Sequence, residues 1–337
     1  MKIHKDYNLS GLNTFGLAAK AKFFAEVNNE EELRKLFVDP LFTENTRLFL
    51  GKGSNILFTK DFDGIVILNK IQGIEVLREN TKTVLVKSMS GVIWHDLVVF
   101  TTKRGYWGIE NLSLIPGTVG AAPMQNIGAY GAELRNVLES VETFDVKTGE
   151  KRIFNKEECE FGYRDSIFKN KLKNRYFISA VVLKLSKFEK KNLTYKILAD
   201  YLNKNKVEVK NSSDISKAVA EIRCSKLPDP KLIGNAGSFF KNVFVGENKF
   251  NELMKIFPDM PHFEEDNMIK VPAGWLIEQC GWKGKRVGNV GVHERQALVL
   301  VNYGEATGRE IIELANKIIA SVKEKFGLEL TPEVNIV

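Results

Sequence analysis

Residues 114–131 read LIPGTVGAAPMQNIGAYG and set Gly117, Gly120, Gly128 and Gly131 among small alanines in one turn-rich segment. Glycine admits positive φ and lets a ligand lie against backbone N–H groups, so this stretch suits a buried, phosphate-bearing cofactor better than a strand or helix interior. A long surface loop would share the composition, and that alternative stays open. A dinucleotide fingerprint does not fit. No GxGxxG opens a helix here, and Pro116 and Pro123 break the strand–turn–helix context such a site requires. Two more small-residue turns recur along the chain: GKGSN at 51–55, between apolar runs, and GNAGSFFKN at 234–242 with Ser238 at its apex. The first is a second candidate cradle for phosphate, although hairpin turns share its composition.

Three isolated polar residues accompany the loops. Arg164 stands among aromatics in FGYRDSIFK, where an ion pair with Asp165 is the competing explanation. Ser238 either does chemistry or satisfies its own turn. Glu333 directly follows Pro332 in the terminal LELTPEVNIV, where a surface carboxylate is equally compatible.

At 337 residues the chain exceeds one average core and should form two or three lobes. Its 44% hydrophobic and 27% charged content is that of a globular protein. No apolar run approaches the roughly 20 residues of a membrane span. The N-terminus MKIHKDYNLS lacks the apolar centre of a signal peptide, so a cytoplasmic location is expected. Cys159, Cys224 and Cys280, and His4, His95, His262 and His293, are scattered without ligand spacing, so neither a disulfide framework nor a metal site is expected. The net charge of +7 would serve nucleic acid or an anionic small molecule. The basic clusters at 169–175 and 184–191 read as solvated loops and strand edges, so the expected partner is a polyanionic small molecule, with no nucleic acid and no membrane.

The elements that must carry these residues are partly legible. RLFL, ILF and GIVILN between 46 and 69 read as short strands, as do 83–89, 141–146 and 176–185, the last two in one antiparallel or mixed sheet. Residues 91–103 predict a helix with Ile93, Trp94, Leu97, Val98 and Thr101 on one face. The polar segment 186–217 interrupts the pattern as a lobe boundary. A helix-like stretch covers 214–224. The C-terminal helix carries a Thr307/Glu310 capping box, an apolar stripe from Ile311 to Phe326, and Gly327 as C-cap.

Taken in order, GKGSNILF, IPGTVGAAPMQNIGAYG, GYRDSIFK, KLPDP, GNAGSFFKN and the terminal PEV resemble the UDP-N-acetylenolpyruvoylglucosamine reductases, the UDP-N-acetylmuramate dehydrogenases of bacterial cell-wall synthesis. The resemblance runs from NTFG at 13–16 to PEV at 332–334. It implies an α+β chain with a PCMH-type FAD-binding fold: a first FAD-binding subdomain at 1–70, with 328–337 returning to it, a second at 71–217, and a substrate-binding α/β lobe at 218–327. The segment around Tyr195 resembles the longer type of the family, whose tyrosine folds over the bound sugar nucleotide.

The implied reaction is NADPH-driven reduction of UDP-N-acetylglucosamine enolpyruvate to UDP-N-acetylmuramate through non-covalent FAD, by a monomer. Hydride delivered to the enolpyruvyl methylene carbon leaves an enolate. By resemblance Arg164 meets that charge with help from Glu333, and Ser238 donates the proton. The backbone of Gly51, Lys52, Gly53, Ser54 and Asn55, and of Pro116, Gly117, Thr118, Gly120 and Ala121, is expected to wrap the pyrophosphate, with Ser54 and Asn55 adding side-chain bonds. Gln125, Asn126, Gly128, Ala129, Tyr130 and Gly131 are expected along the flavin ring. Tyr163, Tyr195, Lys226, Asn242 and Gln296 fall to the substrate, with Lys226 and Asn242 on its phosphates. A PCMH-type alcohol oxidase would share the glycine loops but not Arg164, Ser238 and Glu333 in these contexts. A non-catalytic binder would be colourless.

Overall fold

The run FDGIVILN is continuously apolar from Ile65 to Leu68 because its strand, Phe62–Asn69, lies between two parallel neighbours, Lys20–Val27 and Thr46–Leu50. Ile3–Asn8 completes this four-stranded sheet. The helix Glu30–Phe37 starts where Asn29 accepts the N–H of Glu32, and it buries Leu33, Leu36 and Phe37 against Phe23, Ala25, Ile65 and Ile67. A second sheet, in the order Lys151–Asn155, Leu138–Asp145, Tyr176–Ser186, Thr83–Met89, Ile74–Glu79, is antiparallel throughout. Phenylalanines join the two sheets: Phe37 meets Phe144 edge-on at 6.4 Å, and Phe49 meets Phe177 at 5.0 Å.

These sheets belong to one of two units in the computed structural model, which describes residues 1–265 and 267–337. Unit one comprises Met1–Tyr7, Ala21–Lys52 and Phe62–Ser225; unit two comprises Asn8–Lys20, Gly53–Asp61 and Lys226–Val337. In unit one the sequence between 186 and 217 is not merely a break. It contains the helix Lys196–Lys204, whose Leu198 and Leu202 pack on Trp107, Ile215 and Val219. Only those two residues of the nine are buried, and the helix is just over two turns long. The helix at Trp94–Thr102 buries Trp94, Leu97, Val98 and Thr101, but Ile93 is its N-cap and 38% exposed, outside the expected apolar face.

Unit two holds the sheet Gly234–Ser238, Val299–Asn302, Val290–Val292, Arg286–Val287 and a smaller one of Val243–Val245, Met268–Val271 and Phe263–Glu265. The helix Gly308–Phe326 has the reciprocal Thr307/Glu310 cap and ends at Gly327 with φ +66°. Its stripe of Ile311, Leu314, Ala315, Ile318, Val322 and Phe326 is buried. Asn335–Ile336 runs parallel to Ile56–Leu57. No helix among the described residues is long and apolar enough to cross a membrane.

Candidate active site

In unit one, GYRD closes a tight turn. Gly162 N–H donates to Asp165 O at 3.2 Å, and Asp165 N–H donates back at 3.3 Å, which leaves Tyr163 and Arg164 at the tip. Arg164 takes φ +52°, a left-handed conformation that costs a non-glycine residue roughly 1 kcal/mol, so its neighbours must hold it. Its Nη2 donates to Gly128 O at 2.8 Å. Asp165, the competing partner in the sequence, is instead held by Asn170, 2.8 Å from each carboxylate oxygen. Arg164 is thus aimed at the 128–131 turn, next to the Tyr163 ring at 5.7 Å.

Asn126 fastens this turn. It is fully buried, with φ +44°; Nδ2 donates to Glu133 Oε2 at 2.9 Å and to Gly162 O at 3.1 Å, while Oδ1 accepts Arg135 N–H at 3.0 Å. Both amide donors and the carbonyl are engaged by protein, so Asn126 acts through Gly162, holding the Arg164 turn against the hairpin at Gly128–Glu133.

A second buried amide, Asn111, donates to Tyr130 O at 2.8 Å and to Asn192 O at 2.9 Å. Asn192 Nδ2 in turn donates to Gly131 O at 2.9 Å. These bonds dock the segment that carries Tyr195 onto the glycine-rich loop, where the Tyr130 and Tyr195 rings meet edge-on at 5.4 Å. Burial pushes both phenols up from their ordinary pKa, so both remain neutral donors at neutral pH.

The other end of the loop is held by His95, whose Nδ1 accepts Leu114 N–H at 3.1 Å where Leu114 takes φ +54°. A Cβ on Gly51 would lie 2.6 Å from Thr118 Oγ1, and one on Gly120 would lie 2.5 Å from Ser90 Cβ. Two of the expected cofactor glycines are therefore demanded by close packing within unit one. The N–H groups of Val119, Gly120 and Ala121 are engaged by Val92 O, Ser90 O and Thr118 O. Those of Gly117 and Thr118 take no carbonyl in this network, and Gly117 has φ +118°. Two adjacent free amides at a left-handed glycine fit an anionic oxygen, so the loop suits a diphosphate cofactor at 117–118 rather than along the whole of 117–121.

Unit two assembles the other two residues. Ser238 ends the strand Gly234–Ser238, which is bulged between Asn235 and Ser238; it is not the apex of a turn. Gly237 has φ +69°, and its N–H donates to Asn235 Oδ1 at 2.9 Å. Asn235 Nδ2 donates onward to Ile233 O at 2.8 Å. Glu333 N–H donates to Phe239 O at 2.7 Å, and Phe240 bridges Pro332, so PEV pairs with the residues directly after Ser238. That pairing supplies what spacing alone does not: a physical reason why Glu333 lies beside Ser238. The regular strand is confined to Asn335–Ile336. Asn55 Nδ2 donates to Glu333 O at 3.4 Å, and Asn335 N–H donates to Asn55 O at 3.1 Å. Gly53 lies on the Leu12 backbone, where a Cβ would meet Leu12 O at 1.9 Å.

The substrate candidates are more dispersed. Asn242 Oδ1 accepts Ala273 N–H at 3.1 Å, Gln296 Oε1 accepts Leu298 N–H at 3.3 Å, and Lys226 closes the helix Ser212–Lys226. Asn111, Asn235 and His95 have no sequence signal beyond an amide or imidazole beside residues that need a special backbone.

Comparison with known proteins decides the family. The profile of the UDP-N-acetylenolpyruvoylglucosamine reductase C-terminal domain matches residues 229–337, and that of an FAD binding domain matches 21–154. UDP-N-acetylenolpyruvoylglucosamine reductases of Flavobacterium johnsoniae and Amoebophilus asiaticus are 46% and 48% identical to this chain, each over 100% of both sequences. The chain belongs to the UDP-N-acetylenolpyruvoylglucosamine reductase family. It is accordingly an FAD-dependent oxidoreductase of α+β fold. The crystal structure of the Thermus caldophilus member, 24% identical, superimposes with a TM-score of 0.69 over 100% of this chain and 99% of that one, which shows the shared fold.

Proposed function

We propose that this chain reduces UDP-N-acetylglucosamine enolpyruvate to UDP-N-acetylmuramate with NADPH as reductant, using Arg164, Ser238 and Glu333. The observation that carries the assignment is the pairing of PEV with the chain after Ser238, which gathers an acid and a hydroxyl from distant positions in unit two's sequence. When bound, FAD supplies the hydride that the enolpyruvyl group accepts. Arg164 offers a planar guanidinium fork, so it stabilises the enolate and carboxylate that develop. Its left-handed backbone and its bond to Gly128 O set the direction of that fork before substrate arrives. Ser238 donates the proton to the carbon next to the carboxylate, and the bulge held by Asn235 shapes the backbone that carries it. Glu333 orders the donors around it. Tyr163 and Tyr195 cover the sugar nucleotide, Lys226 and Asn242 take its phosphates, and Gln296 is a further contact to the sugar nucleotide.

The experiment separates the half-reactions. Ser238→Ala should leave flavin bleaching by NADPH within about twofold of wild type while slowing reoxidation by the enolpyruvyl nucleotide by about 10²- to 10⁴-fold, the usual contribution of a positioned proton donor. Equal losses in both halves would remove Ser238 from the role, and a wild-type enzyme that fails to pass electrons to this nucleotide would remove the function.

A further inference from the structure

The turn Glu110–Leu112 and the Ser113 that follows it are fastened residue by residue within unit one. Gly108 N–H donates to Glu110 Oε2 at 2.6 Å, Trp94 Nε1 donates to Leu112 O at 2.9 Å, and Ser113 Oγ lies 2.7 Å from both Glu110 O and Ser216 Oγ. Asn111 is therefore presented from a fixed base. It is 1% exposed, and its amide nitrogen faces two carbonyls from different segments, Tyr130 O and Asn192 O. Only the NH2 end of the amide can serve both. The segment that carries Asn192 has few bonds of its own. Among the described residues, no main-chain N–H between Glu189 and Thr194 donates to the protein, whereas a strand, Tyr176–Ser186, precedes this stretch and a helix, Lys196–Lys204, follows it. Leu193, packed on the Trp107 cluster, and Asn192 fasten it instead. Asn192 receives Asn111 at its carbonyl and returns a bond from Nδ2 to Gly131 O at 2.9 Å.

Tyr195 stands three residues beyond Asn192 and meets Tyr130 edge-on, so both rings and the carbonyls of Tyr130 and Gly131 are bound into one set with Asn111 at its root. An asparagine that served only its own turn would bond within that turn. Asn111 sends both donors to other segments. We infer that Asn111 is a positioning residue for sugar-nucleotide binding, setting Tyr195 against the hairpin at Gly128–Glu133 before substrate arrives. The inference rests on the reading of Tyr195 as a cover for that nucleotide. Without the clasp the segment samples undocked arrangements, and the apparent affinity falls in proportion to the fraction of molecules in which it is docked.

The test uses FAD-loaded enzyme with Asn111→Ala, Tyr195→Ala and the double variant. Asn111→Ala should raise KM for the enolpyruvyl nucleotide about 5- to 140-fold, the factor for two neutral hydrogen bonds, with kcat within about twofold of wild type. The double variant separates positioning from general support of the fold. If Asn111 acts through Tyr195, the double variant should match the KM of Tyr195→Ala within about twofold. Effects that multiply would overturn the inference, as would wild-type KM in either single variant or a loss confined to kcat. Asn192 is half-exposed, so Asn192→Ala removes one bond of the clasp without touching the core, and KM should rise about 2- to 12-fold. That variant decides the matter alone if Asn111→Ala does not retain FAD, and a wild-type KM there rejects the inference. Hydrogen exchange adds a readout free of substrate: the Leu198 and Ala199 amides, which donate to Tyr195 O, should exchange faster in Asn111→Ala while those of Glu30–Phe37 keep their rate. Failure of the wild-type enzyme to use the enolpyruvyl nucleotide would strike the functional reading instead. Exchange at Leu198 and Ala199 then judges Asn111, and unchanged rates reject its role.

Discussion

Replacing Asn126 with Asp tests whether a buried amide sets the geometry of Arg164. The change is nearly isosteric. Aspartate tolerates the φ of +44° about as well as asparagine, so backbone strain is not altered. Oδ1 still accepts Arg135 N–H, but the group that donates to Glu133 Oε2 and Gly162 O becomes an acceptor. A hydrogen bond to a charged group contributes about 1.5–3 kcal/mol and a neutral one about 1 kcal/mol, so the expected loss at neutral pH is roughly 2.5–4 kcal/mol. At about 2–4 °C per kcal/mol for a unit of this size, melting should fall by roughly 5–16 °C. The introduced carboxyl faces Glu133 and a carbonyl, so its folded pKa lies above its unfolded value of about 3.9. A group shifted upward gives its full stability below the unfolded pKa and loses it as pH rises through the folded one. The deficit should therefore shrink on acidification, as the protonated acid regains one donor. The assay is thermal melting of FAD-loaded enzyme from pH 4.5 to 8, paired with stopped-flow reoxidation by the enolpyruvyl nucleotide, which should slow in step with the distortion of Arg164. A variant that melts within 2 °C of wild type at pH 8, or whose deficit grows toward acid, refutes the assignment.

Two other outcomes follow from the loop. Gly120→Ala forces a methyl to within 2.5 Å of Ser90 Cβ, so it should cost about 1–3 kcal/mol and yield protein depleted in FAD, read from the ratio of flavin to protein absorbance. His95 is held below its ordinary pKa chiefly by burial, so its contribution is present above the unfolded pKa of about 6.5 and is lost as pH falls through the lower folded value. His95→Gln should flatten that acid-side decline, and flavin release followed by fluorescence between pH 7 and 4.5 measures it.

Features with a local period or an obligatory backbone were readable from sequence. The helix Gly308–Phe326 shows its cap, stripe and terminal glycine in the letters alone, and the alternation of Val84 and Val86 marks a strand. At Gly51 and Gly120 the sequence suggests a backbone approached by a ligand; in the structure a Cβ at either position would also meet Thr118 or Ser90. Propensity cannot distinguish a ligand from a neighbouring strand. Three things were hidden for the same reason. The bulge before Ser238, the pairing of Glu333 with Phe239 and the clamp at Asn126 are long-range hydrogen bonds, and no local spacing encodes them. The Lys196–Lys204 helix is short and set in the Lys- and Asn-rich stretch 186–217, so its two buried leucines are masked by polar neighbours although they join Trp107, Ile215 and Val219 in one cluster.

The chain passes between its two units at 7–8, 20–21, 52–53, 61–62 and 225–226. No single cut can release either unit whole. A fragment starting at Lys226 would keep the long terminal helix yet lack Phe15, Leu17 and Leu57, which fill the same apolar interior as Phe239, Ile311 and Val334. Excised in this way, the serine and the glutamate would be stranded on a polypeptide with a hole at its centre, so any trimmed version for labelling or soaking work must retain the two short early segments.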